Sequence, residues 1–216
     1  MLILLSNDDG YTANGLLTLR KHLSKYARVV TVAPDRDRSG ASHSLTVTRP
    51  LRAKKIEKDY YAVDGTPTDC VMIAVYKLLK RMPDMVVSGI NCGANMGEDV
   101  TYSGTVAAAI EGTLFGIPSI AVSLTGMGRL NHIDQKEYLK AAKFAYKAIK
   151  KVEKEGLPEG VLLNINVPMG AKVDVRKYAI TQLGKRVYDD VITEKSDPRG
   201  ANYYWIGGTV RITGKG

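Results

Sequence analysis

Histidine, cysteine, tryptophan and phenylalanine are all scarce in this chain of 216 residues. It has three histidines and two cysteines, and Cys70 and Cys92 are not spaced like a pair of metal ligands. A zinc site of the Cys/His type is therefore not expected, nor a disulfide-stabilised secreted scaffold. No apolar run approaches the ~18 residues of a membrane span, and the amino terminus has a strand pattern, not that of a signal peptide. These absences favour a soluble, cytoplasmic protein with no membrane partner.

Acidic residues are outnumbered by basic ones, and the formal net charge of +9 raises the question of nucleic-acid binding. Phe and Trp number only two and one, and no recognisable nucleic-acid module accompanies the basic runs. We therefore predict solvated faces with a mild attraction for anionic substrates, and no nucleic-acid partner. The basic residues are spread along helices and connections, namely Arg52, Lys54, Lys55, Lys58, Lys77, Lys80, Arg81, Lys147, Lys150, Lys151 and Lys154.

Short apolar runs bounded by turn signals predict the strands of a buried sheet. Segments with helical periodicity separate several of these runs, and the longest of these segments is residues 134–155. Because strands alternate with helices, we predict right-handed βαβ units and an α/β fold with a doubly wound, mostly parallel sheet. The predicted strands cover residues 1–5, 28–34, 83–88, 119–124 and 161–167.

Residues 45–64 interrupt this alternation. They alternate in polarity and carry Thr, Val and Tyr, which predicts a β-hairpin, with Asp64-Gly65 as a turn. The next four residues, 66–69, read Thr-Pro-Thr-Asp and predict the start of a helix. They supply a capping hydroxyl, a proline in the first turn and an acidic side chain that favours a helix amino terminus.

Beyond Pro168 the pattern changes and no helix is evident. Residues 173–181 and 202–213 look like antiparallel hairpin strands separated by a polar stretch. We therefore predict a single-domain protein with an α/β core over residues 1–170, which carries the functional site. A β-hairpin extension over residues 171–216 would follow it and serve as an oligomerisation element.

Polar residues that suit a hard metal ion follow three of the predicted strands. In a doubly wound sheet the loops after parallel strands open on one edge, so these residues can meet. Carboxylates, hydroxyls and carboxamides are oxygen donors of the kind that Mg²⁺, Mn²⁺ or Ca²⁺ prefers. The first loop offers Asn7, Asp8 and Asp9 before Gly10; the second offers Ser39, Ser42, His43 and Ser44; the third offers Asn91 and Asn95.

A possible anion site follows in the sequence at Ser103-Gly104-Thr105, which opens a helix. Free backbone N–H groups, the helix dipole and two hydroxyls form a site that suits phosphate. Metal ligands together with a helix-end anion site suit phosphoryl transfer to water.

Taken singly, each of these features also has a structural reading. The Asp8-Asp9-Gly10 segment could be a solvated turn, and Asn91 and Asn95 could be loop residues with left-handed backbone. Ser39 could be a turn hydroxyl, His43 a solvated loop residue, and Ser103 only a helix cap. It is the coincidence of three loops that favours a functional site.

Seven segments of the chain together form a recognisable set of motifs. They are Ser-Asn-Asp-Asp-Gly (6–10), Ala-Pro-Asp-Arg-Asp-Arg-Ser-Gly-Ala-Ser-His-Ser (33–44), Gly-Thr-Pro-Thr-Asp-Cys (65–70), Val-Ser-Gly-Ile-Asn-Cys-Gly-Ala-Asn-Met-Gly (87–97), Tyr-Ser-Gly-Thr-Val-Ala-Ala (102–108), Leu-Asn-Ile-Asn-Val-Pro (163–168) and Asp-Pro-Arg-Gly (197–200). These segments resemble the SurE family, the stationary-phase survival proteins. The resemblance covers nearly the whole chain, and it implies a Rossmann-like core and a metal-dependent 5′-nucleotidase that hydrolyses nucleoside monophosphates.

The resemblance implies one divalent ion per subunit, Mg²⁺ or Mn²⁺ with Ca²⁺ as the alternative, held by Asp8, Asp9, Ser39 and Asn91. We expect Asp8 and Asp9 to be catalytic. We expect the phosphate or the rest of the substrate to contact Asn7, His43, Asn95, Ser103, Gly104 and Thr105. The activity could extend to 3′-nucleotides or polyphosphate. The alternative hypothesis is a regulatory module that binds nucleotides without turnover.

The carboxyl-terminal region predicts self-association. Family members continue beyond the Tyr-Trp-Ile-Gly segment, residues 204–207 here, into a strand and a tail that helps to build a dimer by exchange. Residues 202–206 place large aromatic and apolar side chains on a hairpin, and a two-stranded ribbon is only marginally stable alone. We therefore expect residues 173–213 to extend to a neighbouring subunit in a homodimer, with a tetramer as the larger alternative. In the opposing interpretation the ribbon folds back on its own core.

Overall fold

The computed structural model describes residues 1–126, 133–170, 177–189, 192–207 and 209–213. It divides into two compact units. The first comprises Met1–Asn95 and Val100–Tyr178, and the second comprises Met96–Asp99 and Ala179–Gly216. Within the described ranges, no helix is both long and apolar enough to cross a membrane.

Seven strands of the first unit form one sheet. In chain order they are β1 (Leu2–Ser6), β2 (Arg28–Pro34), β3 (Ala53–Glu57), β4 (Tyr60–Val63), β5 (Met85–Cys92), β6 (Ser119–Thr125) and β7 (Leu163–Pro168). Their order across the sheet is β3-β4-β2-β1-β5-β6-β7. Each neighbouring pair is parallel except β3 with β4. The predicted α/β fold with a mostly parallel sheet is confirmed.

Helices cover both faces of this sheet. They are α1 (Asn14–Leu23), α2 (Pro67–Ile73), α3 (Gly104–Leu114) and α4 (Gln135–Glu155), and one turn of π-helix, Ala74–Leu78, follows α2. Alternate residues of β1 belong to different cores: Ile3 packs with residues of α1 and α4, and Leu4 packs with residues of α2 and α3. Because both faces of β1 are buried, its sequence is apolar throughout. The sheet is therefore doubly wound, as predicted.

The centre of the sheet contains the point where the winding reverses. From β1 the chain moves outward to β2 on one side, and after β4 it returns to β5 on the other side of β1. In open α/β sheets ligands bind in the crevice outside the carboxyl ends of the strands at such a point. The loops after β1 and β5 flank this crevice.

The predicted hairpin over residues 45–64 is shorter than expected. Its strands β3 and β4 are joined by a turn at Lys58-Asp59, where Asp59 has a φ of 57°. The Asp64-Gly65 pair is a bend that leads into α2 and does not close the hairpin. The segment before β3 forms no strand, and its backbone donates to side chains instead: the Thr46 N–H donates to Asp69 Oδ1 at 2.9 Å and the Arg52 N–H donates to Asp64 Oδ1 at 2.7 Å.

The third predicted strand extends further than residue 88. β5 continues to Cys92 because its pairing with β6 resumes after an irregularity between Gly89 and Asn91. Asn91 faces Ser123 of β6, so it lies in a strand end and not in a free loop. A bulge of this kind re-aims the side chains that follow it, and bulges are frequent next to active sites.

The start of α2 confirms the capping prediction and supports a stability test. The Thr66 hydroxyl accepts from the Asp69 N–H, and the Asp69 carboxylate accepts from the N–H groups of Thr66 at 2.8 Å and Thr46 at 2.9 Å. Asp69→Ala removes acceptors from two backbone donors, so we expect urea denaturation to show a loss of about 1–3 kcal/mol in the free energy of unfolding. Asp69→Asn keeps one oxygen acceptor and should lose less; an equal loss in both variants would contradict this account.

The second unit contains an antiparallel ribbon. Its strands are β8 (Lys185–Asp189), β9 (Ile192–Ser196), β10 (Asn202–Ile206) and β11 (Thr209–Thr213). β8 pairs with β11 and β9 pairs with β10. The residues that face each other continue in the same register from the second pair to the first. At the tip, the Asp197 carboxylate accepts from the N–H groups of Arg199 and Ala201 at 2.8 and 2.9 Å, and Gly200 has a positive φ of 83°.

The predicted hairpin strands of this region were wrong in position. Within the predicted strand 173–181, residues 177–181 form no strand, and residues 173–176 lie outside the described ranges. The predicted strand 202–213 is two strands, β10 and β11. The first strand of the ribbon begins later because its partner residues are set by the Asp197 turn, which lies in the polar stretch between the two predicted strands.

Candidate functional site

Asp8 follows β1 and lies against the amino terminus of α3. The residue is buried, and its carboxylate accepts a short hydrogen bond from the Thr105 hydroxyl. Gly104 makes the approach close: a Cβ added there would lie 2.8 Å from the Asp8 Cβ. The dipole and free N–H groups of a helix amino terminus stabilise a carboxylate. α3 therefore fixes the first of the two predicted catalytic aspartates.

Asp9 is partly buried and is oriented by the end of β5. Its Oδ2 accepts from the Cys92 N–H at 3.2 Å. Burial and the neighbouring charge of Asp8 raise the pKa of Asp9 to about 7. Burial also raises the pKa of Asp8, although hydrogen bonds from Thr105 oppose the shift. Two adjacent, poorly hydrated carboxylates are costly to ionise together unless a cation joins them.

Ser39 is brought next to Asp8 by the loop that follows β2. The N–H of Arg38 donates to the Asp8 carbonyl at 2.8 Å, which places the next residue beside the β1 loop. The Ser39 N–H and hydroxyl both donate to Asp37 Oδ1, at 2.7 and 2.6 Å. Because its proton is directed at Asp37, the hydroxyl oxygen keeps lone pairs for an external partner.

Asn91 lies near Asp9, since its neighbour Cys92 donates to the Asp9 carboxylate. The Asn91 side-chain amide donates to the Gly93 carbonyl at 2.8 Å. With the nitrogen engaged in this way, the side-chain carbonyl oxygen is the atom left to accept or to ligate. The four predicted metal-ligating residues are thus carried by the loops after β1 and β2 and by the end of β5, and hydrogen bonds tie these three segments to one another.

Asn7 is fully buried at the end of β1. Its amide nitrogen donates to the Gly10 carbonyl at 3.0 Å and so shapes the Asp8-Asp9 turn, in which Gly10 has a φ of 97°. Its carbonyl oxygen has no hydrogen-bond partner among the described residues. Such an orphaned oxygen beside two carboxylates suits an ordered water or a ligand.

Asn95 is positioned by the neighbouring strands, further along the same edge of the sheet. Its side-chain amide donates to the Ser123 hydroxyl at 2.8 Å, and its backbone N–H donates to Asn166 Oδ1 at 2.9 Å. Its carbonyl accepts from the amides of Asn164 and Asn166. These contacts fix the loop after β5, so Asn95 has a structural role whether or not it touches substrate.

The Ser103-Gly104-Thr105 segment opens α3 as predicted, but its hydroxyls are already engaged. Ser103 is the helix cap, and its oxygen accepts from the Val106 N–H at 3.1 Å, which leaves its own proton free to donate. Thr105 donates to Asp8. The helix end therefore serves Asp8 first, and a phosphate contact through Ser103 and Gly104 remains a prediction.

His43 contacts α3 and is not simply a solvated loop residue. Its Nε2 lies 2.8 Å from Oε2 of Glu111, which is buried. Sequence reasoning missed this partner, although a signal was present, because Glu111 is the only charged residue in the helix sequence GTVAAAIEGTL. It also missed Asn164 and Asn166 as the residues that hold Asn95.

The donor set fits a hard divalent ion. No group of three or more His, Cys, Asp or Glu side chains in the described part of the chain is placed to hold a metal. The predicted ligands are instead two carboxylates, a hydroxyl and a carboxamide, which are the oxygen donors preferred by Mg²⁺ and Mn²⁺. The orphaned Asn7 oxygen and the two crowded carboxylates agree with a cation at this position.

Comparisons with known proteins identify the family of the chain. The family model described as "Survival protein SurE" matches residues 3–190. A "5'-nucleotidase SurE" of Methylobacillus flagellatus is 51% identical over 218 residues, which cover 100% of this chain and 86% of that protein. A "5'-nucleotidase SurE" of Syntrophotalea carbinolica is 50% identical over 96% of this chain and 80% of its own length. The crystal structure of the SurE protein from Aquifex aeolicus superposes with a TM-score of 0.80 at 45% identity, covering 96% of this chain and 82% of that one. The chain belongs to the SurE family.

Proposed function

We propose that the protein is a metal-dependent phosphomonoesterase that hydrolyses nucleoside 5′-monophosphates to nucleoside and phosphate. The observation that carries the proposal is the placement of Asp8 and Asp9 at the winding reversal, between the α3 amino terminus and the Cys92 N–H. Relatives that share about half of the residues are named 5′-nucleotidases, which supports the same activity here.

Asp8, Asp9, Ser39 and Asn91 would hold one divalent ion, which when bound supplies positive charge to the phosphoryl group and favours ionisation of water. The chain's own groups orient the reaction. Thr105 holds Asp8 at Oδ1, and Cys92 holds Asp9 at Oδ2. The Ser103 proton and the α3 dipole are available to phosphoryl oxygens, where they stabilise charge that develops as the ester bond breaks.

A water nucleophile is favoured over an aspartyl-phosphate. In the proposed reaction a water oxygen bonds to phosphorus and the bond from phosphorus to the ester oxygen breaks. Asp8 or Asp9 accepts the proton of the water, and the departing 5′-oxygen takes up a proton from solvent, so that the nucleoside leaves as the alcohol. Both carboxylates are engaged as proposed ligands, and the Asp-x-Asp spacing used by many aspartate nucleophiles is absent at residues 6–10. A phosphoenzyme that is stable in acid and cleaved by hydroxylamine would contradict this route.

Removal of divalent ions should abolish activity. We expect phosphate release from AMP to fall to background in EDTA and to recover with Mg²⁺ or Mn²⁺, because the paired carboxylates otherwise leave phosphoryl charge uncompensated. The assay measures inorganic phosphate over a panel of 5′-nucleotides, 3′-nucleotides and polyphosphate, each with Mg²⁺, Mn²⁺, Ca²⁺ and Zn²⁺. Undiminished turnover in EDTA would refute metal dependence, and preference for a non-nucleotide ester would refute the substrate class.

We also propose that the ribbon contributes to a homodimer. Trp205, Tyr204 and Ile206 on β10 are 66%, 60% and 84% exposed, an apolar area that would favour association if left in water. Burying Trp205 and Ile206 against a second copy would contribute a few kcal/mol at ~25 cal/mol per Å² of apolar surface. Because neighbouring residues of a strand point to opposite faces, a second copy covers both Trp205 and Ile206 only if it packs on both faces of β10, as in an exchange of ribbons. A closed twofold arrangement is the commonest form of such a dimer.

Sedimentation tests the dimer directly. At micromolar concentration we expect a dimer whose Trp205 emission is blue-shifted and moves to longer wavelength on dilution, because the only tryptophan becomes hydrated. Trp205→Ala should weaken the dimer, whereas Trp205→Phe keeps most of the aromatic area and serves as the matched control. A monomer at all concentrations with blue-shifted emission would show that the ribbon packs on its own chain.

A further inference from the structure

The contact between Glu111 and His43 links two elements that are far apart in sequence. The His43 Nε2 and the Glu111 Oε2 are 2.8 Å apart. The Glu111 side chain is only 9% exposed, and α3 contains no other charged residue. A buried carboxylate in an otherwise uncharged helix costs free energy unless it is hydrogen-bonded. Such a residue in this position calls for an explanation beyond helix formation.

The loop that carries Ser39 needs external anchors. Residues 35–52 contain no helix or strand, so their backbone is not held by a ladder of hydrogen bonds. Near Ser39 the chain is tied to the start of α3 by Ser42, whose N–H donates to the Tyr102 carbonyl at 3.1 Å and whose hydroxyl donates to the Thr101 carbonyl at 2.6 Å. The next residue, His43, supplies the only side-chain bond between this loop and the interior of α3 among the described residues.

The same helix also holds Asp8. Gly104 and Glu111 are seven residues apart in α3, so they lie on one stripe of the helix, about 10 Å apart along its axis. Gly104 packs on Asp8. One rigid element therefore contacts Asp8 at its first turn and, two turns later, the loop that carries Ser39.

The chemistry of the contact suits an anchor. A carboxylate accepts hydrogen bonds, so this contact suits the tautomer of His43 that carries a hydrogen on Nε2. Hydrogen bonds to charged groups are shorter and stronger than those between neutral groups. His43 is itself partly exposed, with a third of its side chain accessible, so the buried Glu111 is the fixed partner and the loop residue is the one held.

We propose that Glu111 is a positioning residue: through His43 it fixes the loop after β2 to α3 and thereby sets Ser39 relative to Asp8. The inference rests on the proposed metal-ligating role of Ser39. It assigns Glu111 no contact with substrate, and it gives His43 a role that does not require a phosphate contact. Mutation of a residue that hydrogen-bonds to and orients a metal ligand usually lowers metal affinity or activity by 10- to 100-fold.

The test compares Glu111→Ala, Glu111→Gln, His43→Ala and the Glu111→Ala/His43→Ala double variant. Two quantities are measured per folded molecule: the turnover of AMP, and Mn²⁺ binding followed by the electron paramagnetic resonance signal of free Mn²⁺. We expect Glu111→Ala and His43→Ala each to reduce both by about 10-fold or more. The double variant should lose no more than either single variant, since the two side chains act through one contact. Glu111→Gln should restore most of the loss, because the amide oxygen still accepts from Nε2.

Two control variants separate the alternatives. Asp84→Asn disturbs a carboxylate at the opposite edge of the sheet, where Asp84 accepts from the Leu2 N–H at 2.6 Å, so it should lower the melting temperature without changing turnover or Mn²⁺ binding. Ser39→Ala tests the underlying assignment. If Ser39→Ala leaves Mn²⁺ binding unchanged, the proposed ligand set is wrong and the inference is overturned with it.

If Ser39→Ala weakens binding but His43→Ala does not, the metal site stands and the positioning role is overturned. A melting temperature lowered by Glu111→Ala with normal turnover and Mn²⁺ binding would show a role in stability alone and would equally overturn the proposal. Should Glu111→Ala fail to fold, His43→Ala and Glu111→Gln still decide the question. Additive losses in the double variant would show that the two residues act separately.

Discussion

Asp9→Asn is expected to reduce phosphate release from AMP by about 10³-fold or more, and Asp8→Asn by a similar factor. Each substitution removes one negative charge from the proposed cation site while keeping the size of the side chain. The surrounding hydrogen bonds survive: Thr105 can donate to the remaining oxygen of residue 8, and Cys92 to that of residue 9. The loss should therefore appear in kcat and not in the melting temperature.

A matched control comes from an aspartate in the hairpin turn. Asp59 forms an ion pair with Arg28 at 2.9 Å and has a positive φ, which asparagine also tolerates. Asp59→Asn should keep full activity. The opposing hypothesis, a module that binds nucleotide without turnover, predicts that wild type releases no phosphate and that nucleotide affinity survives both substitutions. Turnover retained in both Asp8→Asn and Asp9→Asn would contradict the proposed mechanism.

Gly104→Ala should cost about 10²-fold in kcat, because small displacements of a reacting group have effects of that size. The added Cβ would lie 2.8 Å from the Asp8 Cβ and 3.1 Å from its Oδ2, closer than these atoms tolerate. Pro67 Cγ, at 3.1 Å, closes the space beside it. Asp8 must therefore move away from the position that Thr105 gives it, and steady-state kinetics on AMP would report the change.

Gly112→Ala is the matched control on the same helix. Its Cβ would lie 2.5 Å from Ser119 Oγ and 2.7 Å from Val86 Cγ2, so it overpacks the core and makes no contact with Asp8. Both variants should lose about 1–3 kcal/mol of stability, the usual cost of overpacking. Gly104→Ala should lose far more turnover per folded molecule than Gly112→Ala, because its added Cβ alone contacts Asp8. Equal kinetic effects would mean that α3 matters through stability and not through its contact with Asp8.

Much of the site was predictable because its residues follow strands that the sequence marks clearly. Asp8 and Asp9 come directly after the apolar run of β1, and Ser39 comes soon after β2. Because parallel strands bring their carboxyl ends to one edge of the sheet, the position of each residue after its strand was enough to predict that these residues lie close together. The start of α2 was equally predictable, since the two capping residues Thr66 and Asp69 lie within four consecutive positions.

The parts that could not be predicted depend on contacts distant in sequence. Glu111 contacts His43, which is 68 positions away, and no local pattern in the sequence pairs these two residues. β5 extends to Cys92 only because β6 offers a partner beyond the irregularity at Gly89. The turn between β9 and β10 is held by the Asp197 carboxylate, which accepts from the N–H groups of Arg199 and Ala201, and composition alone does not reveal these bonds.

The hydrogen bonds that hold Asn95 affect when a newly synthesised chain can become active. The loop after β5 is secured by Asn164 and Asn166 of β7, residues that leave the ribosome some 70 positions later. A nascent chain that already contains Asp8, Ser39 and Asn91 therefore still lacks the hydrogen bonds that hold the loop after β5. We expect ribosome-bound chains halted before residue 163 to release no phosphate from AMP, which a stalled-translation assay would measure. Nucleotide hydrolysis would then begin only when the core is complete, and unfinished chains would be inactive toward nucleotides.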